Sequence, residues 1–545
     1  MGSENEYGFK IEGKEFFDSG YHGFHRDILS ELIQLSKDVS FLRSKEEKWV
    51  RQEDNQFNNK WVSEYRAAPI EEYISELGRT LFNGGRFYID SLHPEFSTSE
   101  VTKPKDLVLF EKSGEFLVAR SVKELEKRRN LKIFVHKNNS DGHGNSYGYH
   151  DNYLLSRTGF DSIVEKERKF DDAVSYLAQC WLTFMVTGII YTGAGKYGSE
   201  NNRPECFYQI SQRADFFSQL SSCETMFHRG LLNTRDEPHA NRQLFGRFHV
   251  IFNDANMSEF QTYIKTGVQA LFLKMLDFAP ANLVNFLPIL KDPVKVLPVI
   301  SRDLELREKF PCEDGVDRTA LEIQKLCLIA MEEFYSRNVS VNWINECLVD
   351  FRQVLNELSV NPLNLCDRID WIAKKYFIDE YQKKKNSELD FIKAKRLDFH
   401  YHQIPNGLYH SLLEPNSFFQ MKRLFNDSQI EQAMINPPVD TRAYFRGFLV
   451  KNFPDCIADV DWSFIELKLG NGRWRLHNLD LWAFNKNLID AYFSNISNLT
   501  DFTLKLLRLF LVKGRIVSPL GSITVPMSFY SDSLIGGSCP STPVV

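Results

Sequence analysis

The chain has 545 residues, of which 43% are hydrophobic and 25% charged, with a formal net charge of −6. That composition excludes a disordered chain and fits a globular protein of about two to four domains. The acidic balance speaks against nucleic-acid binding. Nine cysteines, odd in number and never in CxxC pairs, speak against a disulfide framework or a zinc ribbon, so a soluble protein of a reducing cytosol is expected.

Met1 to Lys14 mixes acids and bases without an apolar core, so no classical signal peptide is expected there. From Asp27 to Glu53 the apolar residues Ile28, Leu29, Leu32, Ile33, Leu35, Val39, Leu42 and Trp49 recur every three or four positions, the period of an amphipathic helix. A second helix is expected over Pro69 to Phe82. Residues 101–140 read as a small inserted α+β unit: strands at Leu107–Leu109 and Phe116–Val118 about a Lys112–Glu115 turn, a short helix, and a strand at Leu131–Val135. His136 to Asn152, rich in Gly, Asn and Ser, has loop composition. Its His143 and His150 read as solvated, as do His400 and His402, so no metal is expected.

Ala173 to Gly195 carries no charge and is just long enough to span a bilayer, but its Ser, Thr and Gln residues favour a buried helix over Phe170–Tyr191. Gly193 to Lys196 lacks the Walker pattern, with Ile190 and Tyr197 at its decisive positions. Strands follow at Arg247–Phe252 and Val294–Ile300 around a helix at Glu259–Leu276. Further helices are expected at Thr319–Ser336, Val341–Leu358 and Leu363–Lys385. Residues 1–410 are taken as the catalytic domain and 411–530 as a mainly helical C-terminal domain with a helix pattern at Leu488–Leu511. A Ser-, Gly- and Pro-rich tail at 531–545 is expected to be disordered.

The most informative string is Cys312-Glu313-Asp314-Gly315-Val316-Asp317-Arg318-Thr319. Five residues between Cys and Arg allow a loop whose N–H groups cradle a tetrahedral anion, with Arg318 closing the ring and Gly315 free to take a positive φ. Thr319 and Glu322 have capping-box spacing, which marks a helix start aimed at Cys312 and favours its thiolate. Asp317 reads either as a capping residue or as a proton donor to an alkoxide leaving group. The spacing alone is common: Cys223 to Arg229 repeats it without a glycine or a neighbouring acid, and is read as structural.

Extended to Ala320, the loop resembles that of the myotubularin phosphoinositide 3-phosphatases, C-S-D-G-W-D-R-T-A, at seven of nine positions. It shares the C-x-D-x-x-D-R-T skeleton of the Sac phosphatases and is similar to the large Legionella effector phosphoinositide phosphatases of the SidP type. The resemblance implies an α/β cysteine-phosphatase core, a central sheet flanked by helices. It makes Cys312 the nucleophile, Arg318 the transition-state clamp and Asp317 the acid/base, with Glu313, Asp314, Gly315, Val316 and Thr319 lining the substrate and no metal or cofactor. The implied function is hydrolysis of PtdIns(3)P and PtdIns(3,5)P2 through a phosphocysteine. The partner would be a phosphoinositide head group at a membrane surface, met by a monomer without a transmembrane span. A bacterial effector of this kind would be secreted into a host cytoplasm and act on endosomal membranes. Arg302, Arg307 and Lys309 are candidates for further positive charge. A protein tyrosine phosphatase and a non-catalytic phosphoinositide-binding scaffold are the alternatives.

Overall fold

The computed structural model describes residues 1–505 apart from 14–20, 42–78, 91–92, 165–173, 226–227, 279–283, 339–340, 386–389, 418, 470–471, 478, 483, 494–495, 497–500 and 503. Its main sheet has six strands in the order Phe245–Val250, Tyr149–Ser156, Gly2–Glu6, His93–Ser97, Arg86–Asp90, Arg79–Thr80. Every pairing is antiparallel. Side chains alternate across such a sheet, so each strand divides its residues between two faces. Ser3, Phe96, Tyr149, Tyr153 and Phe248 are buried on one of them. That face rests on the helices Tyr21–Phe41, Pro104–Arg129 and Glu259–Phe278. Ser3 donates to Glu111 (2.9 Å), and Tyr153 to Gln269 (3.0 Å).

Charge is also buried beneath the sheet. Lys137 donates to Glu111 (2.6 Å) and Glu115 (2.7 Å), and Lys112 also binds Glu115 (2.9 Å), with all four side chains at most 5% exposed. Buried ions of this kind are tolerated only when fully paired and hydrogen-bonded.

Several expected elements differ. The inserted unit at 101–140 is replaced largely by one helix, Pro104–Arg129, begun by Pro104 and ended by Asn130 at φ 51°, before a strand at Ile133–His136. Gly114, read as a turn residue, sits inside that helix because an added Cβ would come within 2.3 Å of the Phe96 ring. Val294–Ile300 is helical within Pro293–Arg302: Asp292 caps it by accepting from the Lys295 N–H (3.1 Å), and Pro293 occupies the first turn. His150 belongs to a strand and not to a loop.

The uncharged segment forms the helix Tyr176–Thr192, capped by Ser175 and buried, with Phe184 stacked on Phe272 at 4.0 Å. No helix among the described residues is long and apolar enough to cross a membrane. The first helix is described over Tyr21–Phe41, and its expected continuation to Glu53 lies outside the described residues, as does most of the Pro69–Phe82 helix. Beyond residue 411 the helices Asp427–Ile435, Ala443–Asn452 and Lys486–Phe493 accompany a three-stranded antiparallel sheet, Ile457–Val460, Phe464–Leu469 and Gly472–His477. Phe445, Leu449, Ile465, Leu467 and Phe493 form an apolar cluster there. The expected tail at 531–545 lies outside the described residues.

Candidate active site

The other face of the main sheet is built from alternating polar residues. Glu4 and Glu6 project from the first strand, His93, Glu95 and Ser97 from its neighbour, and Arg86, Tyr88 and Asp90 from the next. On the opposite side come His150 and Asn152, then Arg247 and His249. The register sets Glu6 opposite Glu95, and Glu4 opposite both Ser97 and His150. Tyr88 faces Glu95, and His249 faces Asn152.

These side chains gather into two triads, Glu4–His150–His249 and Glu6–Asp90–Glu95, each offering three ligand atoms within 4.8 Å of one another. In the first, the Glu4 carboxylate meets His150 Nδ1 (3.2 Å), accepts from Asn152 Nδ2 (2.9 Å) and pairs with Arg247 (3.4 Å). Burial pushes Glu4 up, but the His150 hydrogen bond and the charge of Arg247 outweigh it and hold the carboxyl well below its usual range. His249 is buried, which drives its pKa far down and keeps the ring neutral. Its Nδ1 is 2.8 Å from Asn152 Oδ1, which leaves Nε2 as the ligating atom.

In the second triad, burial and then the charges of Glu4, Glu6 and Asp90 push Glu95 far up. Tyr88 donates its hydroxyl to Glu95. Asp90, at its strand end, is the most open of the three, and its partial burial and Glu6 raise it as well. Four carboxylates thus crowd one patch in a way that calls for added positive charge. Oxygen-rich donors suit Mg²⁺ or Mn²⁺, and the imidazoles widen the choice toward Mn²⁺. The residues present therefore fit divalent cations.

Two arginines complete the surroundings. Arg213, fully buried, donates to the carbonyls of Tyr149 (3.4 Å), Ile251 and Asn253 (3.4 Å) and to Ser146 Oγ (3.3 Å). Arg229 donates to the carbonyls of Thr225 (2.7 Å) and Ser146 (2.8 Å). Among the described residues neither forms an ion pair. Burial and the neighbouring Arg229 bring Arg213 down to about 9.

The residues expected from the sequence to act lie elsewhere, on a separate two-stranded hairpin, Lys309–Pro311 with Asp317–Thr319. Cys312 is buried, and burial raises its thiol despite Arg318 beside it. Arg318 is spent on Asp314, with two bonds of 2.8 and 2.6 Å. The N–H of Glu313 is used by the Ile289 carbonyl, that of Gly315 by Cys312, and that of Val316 by the Asp314 side chain. Gly315 takes the expected positive φ, at 79°, in a turn whose N–H groups do not converge on an anion. Asp317 pairs with Pro311 in the hairpin, Val316 is half exposed, and Thr319 and Glu322 form the expected capping box. Arg229, set aside with Cys223, comes close enough to Glu6 to feel its charge.

The triads carry a sequence signal that local motif reading passes over, namely polar residues at alternate positions of short segments. Glu4-x-Glu6, Arg86-x-Tyr88-x-Asp90, His93-x-Glu95, His150-x-Asn152 and Arg247-x-His249 all show it.

Comparison with known proteins bears on the fold and the family. A family model described as Pup-ligase protein matches residues 1–466. The chain is 35% identical over 398 residues to the Pup deamidase/depupylase of Mycobacterium tuberculosis, covering 72% of this chain and 75% of that protein. It is 32% identical over 478 residues to the depupylase of Acidothermus cellulolyticus, covering 85% and 90%. With the Pup–protein ligase of Kineococcus radiotolerans it shares 32% over 401 residues, covering 72% and 84%. The ligase PafA in complex with Pup, a prokaryotic ubiquitin-like protein, superposes with a TM-score of 0.70 at 24% identity, over 95% of this chain and 97% of that one. PafA in complex with ADP superposes at 0.67 and 26%, over 85% and 95%.

These findings overturn the cysteine-phosphatase core, since the fold is that of PafA. With it go phosphoinositide hydrolysis, the tyrosine-phosphatase and scaffold alternatives, the phosphoinositide head group as partner, and the effector acting on endosomal membranes. The resemblance behind them rested on nine contiguous residues, whereas the family match spans most of the chain. The chain belongs to the Pup-ligase protein family.

Proposed function

We propose that this protein hydrolyses an amide of Pup, as the relatives named deamidase and depupylase do, on the face that carries the two triads. The observation that carries this reading is the gathering of Glu4, Glu6, Asp90, Glu95, His150 and His249 on one sheet face, in a chain 35% identical to a Pup deamidase/depupylase.

The triads would hold divalent cations, and the PafA complex with ADP makes a nucleotide the natural companion. A cation bound there supplies charge and Lewis acidity for phosphate or carbonyl oxygens. Arg229, close enough to Glu6 to feel its charge, would add positive charge beside the triads. Asn152 holds Glu4 and His249 in place from between them. Asp90, exposed at the mouth while its partners are more enclosed, is the carboxylate placed to take a proton from an attacking water.

The test is to incubate the full chain with the amide form of Pup, Mg²⁺ and ATP and follow conversion to the acid by mass spectrometry. Turnover is expected, with Asp90→Asn slower by about 10²-fold or more, the scale of general-base catalysis. Failure to convert Pup, together with attachment of its acid form to an acceptor protein, would assign the ligase direction instead.

A further inference from the structure

One turn of the C-terminal elements touches the polar sheet face beside the second triad. Between the strands Ile457–Val460 and Phe464–Leu469, Asp461 comes 2.7 Å from Arg86 Nη1. Next to it the Trp462 ring lies 5.9 Å from the Arg86 guanidinium and 5.0 Å from that of Arg446. Arg86 shares its strand face with Tyr88 and Asp90, and its guanidinium is 6.0 Å from the centre of the Tyr88 ring. The Tyr88 hydroxyl donates to Glu95 and lies 3.0 Å from Ser97 Oγ. A continuous row of contacts therefore runs from Asp461 to a carboxylate of the second triad.

The turn is anchored from behind. Arg442 and Arg446 both grip Glu100, the former at 2.7 Å, and Arg446 also binds the Gly84 carbonyl at 2.9 Å. Glu100 lies three residues beyond the strand that carries Glu95 and Gly84 two residues before the one that carries Arg86, so the anchor points lie close to the strands being aligned. As a source of stability the Arg86–Asp461 pair counts for little, because its side chains are 22% and 34% exposed. What it does is limit where the guanidinium can go, and the guanidinium backs the ring whose hydroxyl fixes Glu95.

We propose that Asp461, Trp462 and Arg86 are positioning residues that complete the Glu6–Asp90–Glu95 triad from the C-terminal side, orienting Glu95 through Tyr88 for a divalent cation. This rests on the reading of that triad as a cation site. Partners that orient a metal ligand are typically worth about 10–100-fold in metal affinity.

The experiment titrates Mn²⁺ into the full chain, without nucleotide or Pup, and follows the binding event that Glu95→Gln removes. Tyr88→Phe and Asp461→Asn are expected to weaken that site about tenfold. Asp461→Glu, which keeps the ion pair, restores most of the affinity, and Asp459→Asn, an exposed acid of the same hairpin, leaves it unchanged. Melting temperatures of Asp461→Asn and Asp459→Asn should agree, which separates positioning from folding. If Asp461→Asn binds Mn²⁺ normally while Glu95→Gln does not, the triad stands and the positioning role falls. If the unaltered chain shows no such site, both fall.

Discussion

Replacing Lys137 by Met removes the charge that neutralises the buried acids beneath the sheet, and its cost can be worked out in two ways. Lys137 Nζ is wholly enclosed and bonded to Glu111 and Glu115 at 2.6 and 2.7 Å. Breaking one side of a buried ion pair leaves an uncompensated charge, at about 3–5 kcal/mol. Independently, burial pushes Glu111 up, but Lys137, then Lys265, brings it from an ordinary 4.5 down to about 2. That fall corresponds to about 3 kcal/mol in favour of the ionised form. A carboxyl lowered by folding stabilises above its unfolded pKa, and that stability disappears as pH drops toward the folded one. The Lys137→Met penalty should therefore be largest at neutral pH and shrink as pH falls below about 4.5. Thermal melts of both proteins at pH 7 and pH 4 provide the check. A gap that is negligible at pH 7, or that is as wide at pH 4, would refute the reasoning.

Gly114→Ala drives a methyl into the Phe96 ring, since its Cβ would lie 2.3 Å away, and should destabilise by about 1–3 kcal/mol in urea unfolding. An unchanged midpoint would mean that the helix and sheet separate easily. Arg229→Gln should raise the nucleotide KM about tenfold or more, the value of a lost charged hydrogen bond. Cys312→Ser should leave Pup amide hydrolysis intact, because the thiol is buried on another hairpin. Loss of turnover in that variant would move the chemistry back to the hairpin.

The helices were largely legible because a 3.6-residue period repeats over several turns, as at Glu259–Phe278 and Asn342–Val360. The departures come where a residue outside the segment decides its conformation. Gly114 resembled a turn until Phe96 explained its missing side chain, and the valines of Val294–Ile300 looked like strand until Asp292 and Pro293 started a helix. The Thr319–Glu322 capping box was legible because it is local. The triads were not, because each takes its members from strands that only the order of the sheet brings together. Every such strand is too short to reveal its register alone, so Glu4, Glu95, His150 and His249 meet only through sheet order. The Cys312 loop drew attention because all its parts are contiguous, which is a property of the motif and not of the chemistry.

The most direct measurement is conversion of the amide form of Pup to its acid by the full chain with ATP and Mg²⁺, beside Glu6→Gln and Asp90→Asn. Turnover by the unaltered protein that is lost in both variants is the predicted result. Normal turnover in the variants, or no reaction of Pup with the unaltered chain, would contradict the assignment of this chemistry to the sheet face.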